Sequence, residues 1–411
     1  MQNTFIYTPK DKASNSYLAT IFFQPLLKNK VASPLEGKIE DVRNSTIISD
    51  GEHLTVERIL SLKNNGNKII SFDINDHSSL TYTYCGSEVI EMLDLIFKVS
   101  GVQTQQYVDD INIKSDMTYS KRPVSFMDDR NWNVYDKMRE EGRILSLPYL
   151  PWNHFQDREY PAWEARNKRC TIRGGNHFLR YHLFLSLLKA GVASDDSAFF
   201  AKMYSTNFCD KCKAILNEKK GMPYARYKAE SFHCNNSEIK WQADNAISDD
   251  FYNINHAHWN NKCLPMFYWL TEKFQDAHGP IDMQSVENAL NGSHVSGFDN
   301  ILGNNICAGD FKWVFSIYAP PRFWESVQTG TINIGPRFMN SQSYYPEMKE
   351  GDHYLTYDVD FSDLKTVIEG ITEEQYDHIV NNCDSLYREY IKGNGVHDFI
   401  SSTIKRVAED G

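Results

Sequence analysis

The chain has 411 residues, 41% of them apolar and 24% charged, which is the composition of a globular protein of two or three domains. Its formal net charge of −11 argues against non-specific binding to nucleic acid or anionic membrane, although a local basic patch remains compatible with it. Met1 to Pro9 has no basic n-region, and no apolar run reaches the roughly 18 residues a span needs, so a cytoplasmic chain is expected. In that reducing compartment the eight cysteines are thiols or metal ligands rather than a disulfide framework.

The spacing predicts a short strand over Thr4 to Thr8, ended by Pro9. A helix with apolar positions near Leu54, Ile59 and Leu62 stops in the turn Asn64-Asn-Gly-Asn67, and Lys68 to Asp73 reads as a strand. Ser87 to Ser100 reads as one amphipathic helix closed by Gly101, and Pro123 to Met127 and Ile144 to Leu147 as further strands. Strands alternating with helices of this size imply an open, mainly parallel sheet, assigned to a first domain over 1–165. A second domain, 166–385, opens with a strand, the Gly174-Gly175 turn and a helix from about His177 to Lys189. Two glycines let backbone approach a ligand and leave helix N–H groups free. Residues 205–300 read as an insertion and 386–411 as a helical tail.

Within the insertion, Cys209 and Cys212 form a Cys-x-x-Cys pair that Cys234 or Cys263 would complete to a structural zinc site; buried thiols are the competing reading, since no second pair follows. Lys211, Lys213, Lys219, Lys220, Arg226 and Lys228 are interleaved with Tyr224 and Tyr227, a pattern that suits either a nucleic acid or a solvated face. Asp358-Val-Asp360 has the form of a metal-and-nucleotide signature, but it precedes a helix that Ser362 or Asp363 would start, so it reads as a capping region.

Towards the three-quarter mark, Trp313 to Tyr318 predicts a strand, and Pro320 and Pro321 stop it. A helix follows from about Pro321 to Thr329, then Gly330 at a C-cap needing positive φ, then a strand from Thr331 to Ile334. Arg322 and Glu325 share one face of the first turn, where the helix dipole favours an anion. The run Arg322-x-x-Glu325-x-x-x-x-Gly330 between two apolar strands resembles the donor-binding segment of GT-B glycosyltransferases, particularly the exostosin-like and fucosyltransferase-like groups. The resemblance continues through Tyr345 to Leu364, covers about 305–390, and is weaker over 166–191.

That resemblance implies an α/β protein of the GT-B class, two Rossmann-like domains with open sheets facing each other across a cleft. It implies transfer of a sugar from a nucleotide-diphosphate sugar to a glycan or other hydroxyl acceptor, with no cofactor or catalytic metal required. Arg322 would face the diphosphate with Lys312 beside it, and Glu325 would take the ribose hydroxyls. Arg173, Gly174 and Arg180 would serve the donor phosphates or the cleft, and Tyr318 or Phe315 would flank the base. An inverting enzyme also needs a base on the first domain. Asp73 stands at a strand's carboxyl end, with Asp76, His77, Asp128 and Asp129 as rivals. Two alternatives stay open: a nucleic-acid base as acceptor, and a non-catalytic sugar-nucleotide or glycan-binding protein of the same fold.

Overall fold

The computed structural model describes residues 3–8, 16–74, 87–99, 129–150, 161–174, 178–199, 271–272, 274–291, 303–309, 321–341, 345–358 and 360–409. They form two Rossmann-like α/β halves, each built on a parallel sheet.

The first sheet contains β1 (Thr4–Tyr7), β2 (Ser33–Pro34), β3 (Thr46–Asp50), β4 (Lys68–Asp73), β5 (Leu95–Lys98) and β6 (Ile144–Ser146). Its spatial order is β2-β1-β3-β4-β5-β6 and every pairing is parallel. The connections hold α1 (Ser16–Leu18), α2 (Gln24–Lys28), α3 (Val56–Asn64), α4 (Ser87–Glu91) and α5 (Asp129–Glu140). The inner strands are apolar because helices cover both faces of such a sheet. Ile47, Ile48, Ile69, Ile70, Phe72, Ile96 and Phe97 have no exposed surface. Helix α3 starts where the Thr55 hydroxyl accepts the Arg58 N–H at 3.3 Å. It ends at Gly66, whose φ is 72°. Asn67 then aligns β4, its Oδ1 accepting the Ser45 N–H at 3.0 Å and its Nδ2 donating to the Val42 and Leu62 carbonyls.

Three expectations need correction or completion here. Ser87 to Ser100 is not one helix: α4 ends at Glu91 and β5 lies between β4 and β6. Val89, Ile90, Leu93, Ile96 and Phe97 fit a helical period, but β5 is buried on both faces, and a strand of that kind loses its two-residue alternation. Asp94 makes the break, accepting the Ile69 N–H at 2.7 Å while pairing with Lys63 at 2.8 Å. Strand β3 and helices α1, α2 and α5 were not anticipated, and Asp129, a rival for the base, opens α5. The strand expected at Pro123 to Met127 lies outside the described residues.

The second half holds β7 (Asn167–Thr171), β8 (Arg173–Gly174), β9 (Ala198–Phe199), β10 (Asn305–Gly309), β11 (Ile332–Pro336) and β12 (Leu355–Tyr357), in a four-stranded sheet and a two-stranded one that continues it. Four strands run β12-β11-β10-β7, all parallel. On the far side of β7, Cys170 bridges to Ala193 and β8 pairs with β9. The effective order is therefore β9, β7–β8, β10, β11, β12, which is the winding of the first sheet's first five strands. Helices α6 (Phe178–Ala190), α7 (Met283–Asn291), α8 (Pro321–Gln328), α9 (Leu364–Glu369), α10 (Glu373–Leu386) and α11 (Gly395–Glu409) accompany it. The expected helix after Pro320 is α8, and Gly330 follows it with φ 65°. Phe323, Trp324 and Val327 bury its apolar face. The strand described ahead of α8 is β10; Trp313 to Tyr318 lies outside the described residues.

Helix α11 returns to the first half, packing on α2 and β4, and Lys68 Nζ donates to the Val407 carbonyl. Among the described residues no helix is long and apolar enough to cross a membrane.

Candidate functional site at the carboxyl edges of the two sheets

In an open parallel sheet the connections on either side of a winding reversal leave in opposite directions, which opens a crevice at the strands' carboxyl ends. Here the reversals fall between β1 and β3 and between β7–β8 and β10.

At the second reversal, β8 ends in Arg173 and Gly174. Arg173 is 7% exposed, and its Nη2 donates to the Asp196 carbonyl at 2.6 Å. Burial pulls the guanidinium below its ordinary pKa, and the Asp196 carboxylate opposes that shift. The hydrogen bond draws Arg173 toward the turn that leads into β9. Arg180 is in the first turn of α6 and is also buried. Across the reversal, β10 ends at Gly309, where a Cβ would stand 3.1 Å from Cys170 Sγ and 3.2 Å from Leu183 Cδ2. A glycine there lets β10, β7 and α6 close up.

Helix α8 is oriented by its ends. Arg166, just ahead of β7, donates from Nη2 to the Thr329 carbonyl at 2.9 Å, and the Tyr376 hydroxyl donates to the Gly330 carbonyl at 2.7 Å. The carboxyl end of α8 is thus fixed at the amino edge of the sheet. Its eight residues rise about 12 Å, which carries Pro321 and Arg322 toward the carboxyl edge. Glu325 is half-buried one turn along from Arg322. Lys312, Phe315, Tyr318, Cys209, Cys212, Cys234, Cys263 and the basic run from Lys211 to Lys228 lie outside the described residues.

Asp358 and Asp360 are occupied with local structure. Arg337 bridges Asp358 at 3.2 Å and Asp363 at 2.9 Å. Asp363 accepts the Asp358 N–H at 2.8 Å, and Asp360 Oδ1 accepts the Ser362 N–H at 3.0 Å. Among the described residues, no group of three or more His, Cys, Asp and Glu side chains is placed to hold a metal ion.

On the first sheet, Asp73 sits at the carboxyl end of β4 and accepts a hydrogen bond from Lys98 Nζ at 3.0 Å, with neither side chain exposed. The two are register partners on β4 and β5. Two positions back on the same face, Tyr7, Ser49, Ser71 and Ile96 form a second row. That face is polar at its carboxyl edge, whereas the other carries Ile48, Ile70, Phe72 and Phe97, with Asp50 ending β3 beside them. Asp76, His77 and Asp128 lie outside the described residues.

Several groups escaped the sequence reading. Lys98 fell inside the helix expected over Ser87 to Ser100; placing Leu95–Lys98 in a strand sets it opposite Asp73. Asp50 and His53 end β3 and the turn after it, both more than nine-tenths buried. His182, in α6, is packed against Phe274 and Phe361, and burial, aided by His278, pushes its pKa down to about 3. Phe361 has φ 61°, an unusual conformation for an aromatic residue. A groove of about 690 Å³ lies at the amino edge of the first sheet, beside Phe5, Asp41, Arg43 and Ser45, away from both reversals.

No protein-family model and no curated protein matches the chain. Among solved structures it is similar to the GtfA/B complex, at 10% identity and TM-score 0.40, over 90% of this chain and 58% of that one. It is also similar to the pneumococcal O-GlcNAc transferase GtfA in complex with UDP and GlcNAc, at 10% identity and TM-score 0.28, over 89% of this chain and 55% of that one. The chain thus spans little more than half the length of either.

Proposed function

We propose that this chain is a glycosyltransferase of the GT-B class, taking a sugar from a nucleotide-diphosphate sugar and passing it to a hydroxyl acceptor, with the donor at the carboxyl edge of the second sheet. The observation that carries the reading is the direction of α8, whose first turn, with Arg322 and Glu325, heads for the edge where β8 ends in Gly174. Cleaving the sugar–phosphate bond leaves negative charge on the departing diphosphate, and a fixed cation at a helix N-terminus stabilises it without reorganising. Glu325, one turn further on, suits the ribose hydroxyls. In this reading Arg322 bears on the reacting phosphate, whereas Arg173, drawn to the Asp196 carbonyl, ties β8 to the turn before β9.

The test is a thermal-shift screen with nucleoside diphosphates and nucleotide sugars, followed by release of nucleoside diphosphate from each donor that binds. Arg322→Ala should lower release at least tenfold, about 1.4 kcal/mol of transition-state stabilisation, with the melting temperature unchanged. Equal release by variant and parent removes Arg322 from the mechanism. Ligand-induced stabilisation without turnover of any donor replaces the enzyme with a sugar-nucleotide-binding protein.

A further inference from the structure

We infer that the turn 349–354, which leads into β12, is a pH-dependent clasp on α10, shut while His378 carries a proton on Nε2 and released when that nitrogen passes to Asn382.

Strand β12 runs parallel to β11, so the turn ahead of it lies at the amino edge of the sheet, away from the edge assigned to the donor. The clasp is therefore independent of the transferase reading. The turn folds on itself first. The His353 N–H donates to the Lys349 carbonyl at 2.9 Å and the Gly351 N–H to the Tyr354 carbonyl at 2.8 Å. Gly351, with φ 81°, reverses the chain between them. One face of α10 then grips the turn. Asn382 Nδ2 donates to the Asp352 carbonyl at 3.2 Å, and Cys383 Sγ to the His353 carbonyl at 3.0 Å.

His378 stands one helical turn before Asn382, on the same face. Its Nε2 lies 2.9 Å from Asp352 Oδ1 and 3.1 Å from Asn382 Nδ2. A ring nitrogen offers a single in-plane position, either an N–H or a lone pair. An ionised carboxylate only accepts, and an amide nitrogen only donates. Nε2 therefore serves one of the two at a time. With its proton it donates to Asp352, and the bond is charge-assisted when the ring is cationic. Without its proton it accepts from Asn382 and turns a lone pair toward the carboxylate. The hydrogen bond from His378 is the main reason the Asp352 carboxyl sits below its ordinary range.

His353 favours the opposite state. Its Nδ1 accepts the Lys349 N–H at 3.0 Å, which the ring does only while that nitrogen is bare. Burial pulls its pKa below the ordinary imidazole value, and the Asp352 carboxylate opposes that shift. The sign follows from the depressed value: its contribution is complete above about pH 6.5 and is lost as pH falls through the folded pKa. The other charges near the ring are Lys349, which pairs with Glu347 at 3.1 Å, and Glu374 one turn earlier on α10. An imidazole changes charge between about pH 5 and 8, so the clasp is shut in mild acid, where His378 is protonated and His353 is still neutral, and open in mild alkali.

The experiment is amide hydrogen exchange on the full chain, read by mass spectrometry over residues 349–356 as protection factors, which remove the intrinsic pH dependence of exchange. Between about pH 6 and about pH 8.5, protection of the parent turn should fall about threefold, the size open to a half-exposed ion pair. Protection in α11 should stay constant over the same range. Asp352→Asn and His378→Ala should lower protection of the turn at the acid end and abolish its change with pH. The clasp is refuted by a parent turn whose protection is flat, by a fall shared with α11, or by variants that keep the parent's change. The parent profile alone decides the matter if either variant fails to fold.

Discussion

Lys98→Met leaves the Asp73 carboxylate inside the protein with its ammonium partner removed. Both side chains have zero exposure and meet at 3.0 Å, so water cannot replace the lost charge without opening the sheet. Breaking a buried pair from one side costs about 3–5 kcal/mol, because the surviving ion keeps its desolvation penalty and loses its compensation. Replacing both partners with apolar groups of similar size removes the penalty too, so Asp73→Leu/Lys98→Met should lie within about 1 kcal/mol of the parent. The coupling energy, expected at about 5 kcal/mol or more, is read from urea unfolding midpoints of the parent, both single variants and the double variant. A Lys98→Met cost below about 1 kcal/mol would show that the pair is solvated or that another cation stands in. The same double variant bears on chemistry. Retained stability with retained diphosphate release would mean that Asp73 is not the base.

Two further outcomes concern stability. His182 is neutral in the folded protein down to about pH 3, whereas the unfolded chain takes up that proton near 6.5, so the unfolded state gains protons first and stability falls between those values on acidification. His182→Leu should flatten that part of the pH dependence, and unchanged curvature in unfolding data from pH 7 to 4 would contradict the burial argument. Arg166 donates to the carbonyls of Pro161, Asn305 and Thr329. Arg166→Met should therefore cost about 3 kcal/mol or more, since the carbonyls buried around it lose their charged donor; a calorimetric loss under 1 kcal/mol would refute it.

What the sequence disclosed follows from how directly local chemistry sets local structure. Thr55, Asn67 and Gly330 each dictate a turn or cap in their own right, and the elements beside them, α3, β4 and α8, were legible. Strand β5 was not, because its pattern is set by burial on two faces, which depends on neighbours far away in sequence. The same limit hid the site. Asp73 was noticed for its position, but its meaning comes from Lys98, and the two can be matched only once β5 is known to be a strand.

Helix α11 brings Val407 to Lys68 across 339 positions of chain. During synthesis the first half therefore stays unfinished until α11 has left the ribosome, with the ground between α2 and β4 bare in the meantime. The two halves cannot be treated as separable modules: a cut between the sheets takes from the earlier one a helix that it does not encode.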